Sequence, residues 1–261
     1  MQTTLDVSTQ AVIYDRPPVK RWLIGLIMAE IICVVAPVGI LSAYFRFPEI
    51  LREPASVMLP LFTANESVIV PAYYVFMVSG LLFLPLSCAF SAALKPGSSS
   101  ALRRALIGTG VAAAIFQAIG FSRWVFIVPF LAEQYGRQPT QRPTIALLYE
   151  TLNRYAGMTI GEHLGFLAMG CWTILLALLL LRRSVVKRWF AALGLPIGAG
   201  LLVSTGEHFG GSAAELYGTI NFLANTCWSV WLLGIGVGVL FYRPVYQSVE
   251  QSETTRTILF D

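Results

Sequence analysis

The sequence predicts an all-α fold, a polytopic transmembrane helical bundle of six spans. Three observations carry that prediction. Of the 261 residues, 56% are apolar and only 12% are charged, where soluble domains carry about 25% charged residues. The apolar residues fall into six blocks, and about 20 such residues suffice to cross a bilayer. The basic residues gather in alternate connections between those blocks. With a mean hydropathy of +0.68, this pattern excludes a disordered chain, an ordinary soluble enzyme and a nucleic-acid module built on a basic face. A membrane β-barrel would instead show segments of about 10 residues with alternating polarity.

In chain order, a polar N-terminal tail covers 1–21. The spans then occupy 22–45, 68–94, 105–131, 158–181, 189–208 and 217–241, within a membrane domain of 22–245. A second polar tail covers 246–261. The first block is longer than the 7–15 apolar residues of a signal peptide and lacks a small-x-small cleavage site, so it is expected to stay in the mature protein. Before span four, 143–155 reads as a short amphipathic helix. Leu147, Leu148 and Leu152 form its apolar side, and Glu150, Asn153 and Arg154 its polar side.

Basic residues in short loops set orientation. Arg16, Lys20, Arg21, Lys95, Arg103, Arg104, Arg182, Arg183, Lys187, Arg188, Arg243 and Arg256 fall on one side. Arg46, Arg52, Arg137, Arg142 and Arg154 fall on the other, which leaves only Arg123 within a span. The expected location is the cell inner membrane, with both termini cytoplasmic. The pI near 9.0 is then a topology signal, and no nucleic-acid partner is implied. On these assignments, a label should reach Ser212 from outside and Ser98 from inside.

Lipid supplies no hydrophobic drive between helices, so small residues must allow close packing. Gly157, Gly161 and Gly165 form one row, Gly194 and Gly198 a second, and Gly234 and Gly238 a third. They predict tight packing of spans four, five and six. The same faces could alternatively serve a second copy or another membrane partner. Pro37, Pro71, Pro85, Pro129 and Pro196 are candidate kinks. Cys33, Cys88, Cys171 and Cys227 lie singly within spans and read as small buried apolar residues. The tryptophans and tyrosines read as interface belts and packing.

Ionisable groups inside a bilayer cost about 2.5–3.5 kcal/mol at its centre on insertion scales, so they must face protein, water or a ligand. The informative ones are Glu30, Arg123, Glu162, His163, Glu207 and His208. Both histidines of the chain occur in the same tripeptide, Gly161-Glu162-His163 and Gly206-Glu207-His208. Span four begins and span five ends on the non-cytoplasmic side, and a short basic turn makes the two antiparallel neighbours. Two Glu and two His are therefore expected in one volume near the outer leaflet. Arg123 lies in the outer half of span three, about 7 Å past its midpoint at 1.5 Å per residue. Glu66 and Asn221 are expected at the same level, and Glu150 and Asn153 beside it.

Several readings fit this cluster. In one, non-enzymatic, Arg123 pairs with Glu162 or Glu207 and the residues only lock helices together. In another, His163 and His208, with Glu162 or Glu207, hold a divalent metal such as Zn, Fe or Mn, with Arg123 as electrostatic partner of an anionic substrate. Adjacent helical residues project about 100° apart, so each motif would give one ligand to a shared ion. Haem b between the two histidines is a third reading, opposed by the closeness that the glycine row implies. A small-molecule transporter is a fourth, with Glu30 as a proton relay. Nothing in the sequence decides whether the protein is an enzyme, and no Walker loop, nucleophile elbow or H-E-x-x-H sequence is present.

The stretches Gly120-Phe121-Ser122-Arg123-Trp124, Pro129-Phe130-Leu131, Asn153-Arg154-Tyr155-Ala156-Gly157 and Gly161-Glu162-His163 resemble an uncharacterised bacterial group of six-span integral membrane proteins, a domain of unknown function. The resemblance implies a bacterial inner-membrane protein and carries no activity, cofactor or site residue.

Overall fold

The computed structural model describes residues 17–94, 100–182, 186–210 and 212–241, with side chains from residue 21 onward. Among them there are helices and turns but no strands, and six helical stretches are long and apolar enough to cross a membrane. Most of the tail assignments, together with Arg16, Lys95, Ser98, Arg183, Arg243 and Arg256, lie outside the described residues, as does the side chain of Lys20.

The first span is helix α1 (Pro17–Phe45), followed by a 3-10 turn over Glu49–Arg52. Helix α2 (Ala55–Ala93) starts well before the apolar block at 68 and contains a break at Asn65, whose φ of −128° is non-helical. Helix α3 (Ser100–Phe126) stops at Ile127, and α4 (Val128–Arg137) continues with Pro129 in its first turn, where a missing N–H costs nothing. The amphipathic segment forms α5 (Arg142–Leu152). It runs directly into a π-helical stretch, Asn153–Leu164, that carries the first Gly-Glu-His motif, and then into α6 (Gly165–Leu181). After α7 (Arg188–Ala192) and α8 (Gly194–Ser204), a 3-10 turn over Thr205–Phe209 carries the second motif. Helix α9 (Ala214–Phe241) is the sixth span.

The spans pack as a ring. Each contacts its sequence neighbour, in the order α1, α2, α3, α6, α8 and α9, and α9 closes against α1. The glycine rows explain much of this, with one correction to the expected partners. A Cβ on Gly161 would lie 2.7 Å from the Gly120 Cα, and one on Gly165 would lie 3.3 Å from Gln117. The first row thus faces span three, where Gly120 matches it, instead of spans five and six. The second row does join spans four and five, since a Cβ on Gly198 would meet the Gly170 carbonyl at 2.8 Å. Gly234 lies against Phe190. Gly161, Gly165, Gly198 and Gly234 thus each meet another part of the chain.

Hydrogen bonds stitch the ring across its middle. Trp172 donates to Ser87 Oγ at 2.7 Å, and Trp228 donates to Thr173 Oγ1 at 3.1 Å. The cysteines differ from expectation: Cys88, Cys171 and Cys227 are exposed and Cys33 is half-buried. A small apolar side chain is as well accommodated by lipid as by a core, so hydropathy does not tell the two apart. Trp124, Trp172, Trp228 and Trp231 are buried, whereas Trp22 and Trp189 face outward.

The apolar core is asymmetric, and this asymmetry locates the site. At the basic end of the bundle one cluster draws on all six spans, including Leu23, Phe83, Leu106, Trp172, Leu201 and Trp228. At the opposite end a second cluster fills only the side formed by α1 to α5, with Phe45, Phe62, Tyr73, Trp124 and Tyr149. The π-helical stretch, the Thr205–Phe209 turn and the start of α9 supply no buried hydrophobic residue to either cluster. That sector is polar.

Candidate functional site

The two Gly-Glu-His motifs meet in the polar sector, and each of their residues has its own task. The glycines permit approach: Gly161 lies against Gly120, and a Cβ on Gly206 would come within 2.9 Å of the Tyr217 ring. The histidines face one another, with ring centroids 5.7 Å apart and planes at 80°. His163 Nδ1 lies 3.3 Å from the Thr205 carbonyl, and the His163 ring also meets Phe209 edge-on. The glutamates point to a shared partner.

That partner is Arg52, in the sequence one more basic residue of a connection. Its Nη2 donates to Glu162 Oε2 at 2.7 Å and to Glu207 Oε1 at 2.7 Å, and its Nε donates to Glu207 Oε1 at 3.0 Å. Burial works against the charge of Arg52. The Glu162 carboxylate, then the Glu207 carboxylate, outweigh that penalty and hold the guanidinium above its usual range. It is therefore a fixed positive charge at any accessible pH. His208 Nε2 stands 3.8 Å from Glu162 Oε2, beyond hydrogen-bond distance, and His208 Nδ1 has no partner among the described residues.

The π-helical stretch explains how Glu162 reaches this point. Hydrogen bonds in a π-helix run to the fifth residue, and such segments are rare and frequent at functional sites. Thr159 Oγ1 donates back to the Arg154 carbonyl at 2.9 Å, five residues away. The wider turn alters the phase of the residues that follow it. The second motif lies in a 3-10 turn that ends at Gly210, whose φ of 72° is a conformation favouring glycine.

Arg123 differs from expectation. Its hydrogen bonds go to neutral groups, from Nη2 to Asn153 Oδ1 at 3.1 Å and from Nη1 to the Gly120 carbonyl, and not to Glu162 or Glu207. Asn153 in turn donates to the Leu51 carbonyl at 3.3 Å, tying the Arg123 environment to the loop that carries Arg52. The two carboxylates are already engaged by Arg52, which is the physical reason for the change of partner. Glu150 is exposed on α5 and makes no ion pair with the cluster among the described residues. Glu66 lies elsewhere, lining a groove with Thr63, Phe126, Pro129, Phe130 and Glu133. Asn221 does join the polar sector, donating to Ser204 Oγ at 3.1 Å. Glu30 is far from it in α1, only 1% exposed, with Oε2 unpartnered among the described residues.

Chemically the cluster is two carboxylates bridged by one guanidinium, with two imidazoles beside them. Among the described residues no group of three or more His, Cys, Asp or Glu side chains is arranged to hold a metal ion. Residues 25–236 match the family model described as Domain of unknown function (DUF4386). No curated protein and no solved structure matches the chain.

Proposed function

The chain belongs to the DUF4386 family, and from that premise we propose that it is a bacterial inner-membrane protein whose paired Gly-Glu-His motifs form an ionic latch. Both termini are assigned to the cytoplasm, and the latch to the opposite face. One observation carries the reading: Arg52, from the connection between α1 and α2, engages Glu162 of span four and Glu207 of span five at 2.7 Å each. The bridge crosses the ring where the apolar core is missing, and so replaces hydrophobic packing there with charge. The role is non-enzymatic.

The latch is tested by thermal unfolding of the purified full chain. Replacing Arg52 by Ala leaves two adjacent carboxylates without their donor, at a cost of about 1–3 kcal/mol. The midpoint should fall by about 2–4 °C per kcal/mol. Arg46, exposed and 3.5 Å from Glu53, is the control: Arg46→Ala should change stability by less than about 1 kcal/mol. Equal effects from the two substitutions would refute the latch.

A metal reading of the same residues draws support from the closeness of His163, His208, Glu162 and Glu207. A divalent cation there must displace the Arg52 guanidinium, because both supply positive charge to the same carboxylates. Elemental analysis and an absorption spectrum of the wild type, beside His163→Ala and His208→Ala, separate the readings. The latch expects metal-free protein in all three. A stoichiometric metal lost in both variants would favour the metal site and overturn the latch, and a Soret band would favour haem.

A further inference from the structure

A groove of about 570 Å³ opens between α2 and α4, lined by Thr63, Glu66, Phe126, Pro129, Phe130 and Glu133. Its volume lies within the range of ligand pockets. Every side-chain polar group in it is an acceptor. Thr63 Oγ1 donates its one hydrogen to the Leu59 carbonyl at 3.0 Å, so toward the groove it can only accept. Glu133 is held from one side, through Oε1, by Arg137 at 2.9 Å. Glu66 forms no ion pair among the described residues. The apolar part of the lining is aromatic and outward-facing, with Phe126 66% and Phe130 58% exposed.

We propose that this groove docks a phospholipid with a primary-amine headgroup, of the phosphatidylethanolamine type. Two carboxylates and one accepting hydroxyl call for a cation that brings several N–H donors. A primary ammonium brings three, and phenyl faces beside it add cation–π attraction. Depth identifies the lipid as the source of that ammonium. Glu66 stands two residues before the apolar block 68–94, and residues 126–130 lie at the end of the block 105–131. At 1.5 Å per residue Glu66 is therefore about 3 Å beyond the apolar block. The headgroup layer extends about 5 Å or more past the hydrocarbon core, so the carboxylates lie at headgroup level while the exposed phenyl rings meet the acyl side. Such an arrangement matches an amphiphile with its charge at one end, and a soluble amine would leave the rings uncovered. The groove shares no residue with the latch, so each stands or falls by itself.

The test counts lipids bound to the detergent-purified full chain by native mass spectrometry, using phosphatidylethanolamine and phosphatidylcholine with the same acyl chains. The two differ only at the ammonium, whose N–H groups are replaced by methyls in phosphatidylcholine. The wild type should bind phosphatidylethanolamine several-fold more tightly. Glu66→Gln keeps the shape of an exposed side chain and removes its charge. It should weaken phosphatidylethanolamine binding by about two- to fivefold, the effect of one exposed charge pair. Adding Glu133→Gln should remove the preference altogether. Glu215→Gln, at an exposed carboxylate in the first turn of α9 and outside the groove, should retain it. Equal affinity of the wild type for the two lipids would overturn the proposal without recourse to any variant. So would a preference that survives unchanged in the double variant. Displacement of the bound lipid by an equal concentration of free ethanolamine would show a soluble-amine site and overturn the lipid as occupant.

Discussion

Glycines carry the most position-specific information at the scale of single residues. The chain has 22 glycines, and sequence spacing treats those in rows alike, yet their surroundings divide them sharply. A Cβ on Gly161 would lie 2.7 Å from the Gly120 Cα, and one on Gly120 would lie 2.6 Å from the Gly161 Cα, whereas Gly39 has nothing within 4 Å. Backbone cannot give way as a flexible side chain can, so Gly161→Ala must push α3 and the π-helical stretch apart. Overpacking of this kind costs about 1–3 kcal/mol. Gly39→Ala, in an open helical position, should be neutral or stabilise by up to about 1 kcal/mol through helix propensity. Unfolding of the two variants side by side checks this, and Gly161→Ala matching Gly39→Ala would show that the two backbones are not in contact. The same scale shows what sequence could and could not reveal of the site. Glu162, His163, Glu207 and His208 stand out because ionisable groups within apolar blocks need a reason. Arg52 does not, since an arginine in a connection is ordinary. The available signal is positional: it lies in a short connection on the same side as both motifs, where two carboxylates have only Arg123 as an expected cation.

Among the elements, regular helix prevails at the basic end and irregular backbone accumulates at the other. The Asn65 break, the Ile127 interruption, the π-helical stretch and the Thr205–Phe209 turn all lie toward the Arg52 end. Hydropathy sees length and apolarity, so the six spans were legible. It is blind to hydrogen-bond register, and the first Gly-Glu-His motif therefore read as ordinary helix. Non-helical backbone at membrane depth is tolerated where protein buries it or a polar cavity meets it, which fits its concentration around the polar sector. At the regular end, side-chain hydrogen bonds between spans take over. Ser87 Oγ accepts from Trp172 while donating to the Phe83 carbonyl at 2.5 Å, so it joins α2 to α6. Ser87→Ala leaves the indole N–H unpaired in an apolar core. Interhelical hydrogen bonds in membranes are worth about 0.6 kcal/mol on average and about 1.7 at most, and this buried one should fall toward the upper figure. Thr219→Ala removes only an exposed hydroxyl that bonds within its own helix and should cost less. Chemical unfolding of both variants distinguishes a bond between spans from one within a span; a smaller loss in Ser87→Ala than in Thr219→Ala would show that the Trp172 contact adds nothing.

For the whole molecule, orientation ties these features to a membrane. Arg21, Arg103, Arg104, Arg182, Lys187 and Arg188 lie at one end of the ring, and Arg46, Arg52, Arg137, Arg142 and Arg154 at the other. In the fold, most of the second group is engaged by other side chains or by backbone. Arg52 is engaged by two carboxylates, Arg46 lies 3.5 Å from Glu53, and Arg137 lies 2.9 Å from Glu133. Arg142 donates to the Tyr135 carbonyl and lies over the Tyr135 ring. None of the described basic residues at the first end forms an ion pair with a described carboxylate. The basic-residue rule counts Lys and Arg near the span ends, and that count supports the proposed cytoplasmic placement of the first end. In a background without the four native cysteines, Ser212→Cys should react with a membrane-impermeant maleimide in intact cells. Lys187→Cys, at the opposite end, should react only after permeabilisation. The reverse pattern would place Arg52, Glu162 and Glu207 in the cytoplasm, and the latch would then close the bundle on the cytoplasmic face, against the basic-residue rule.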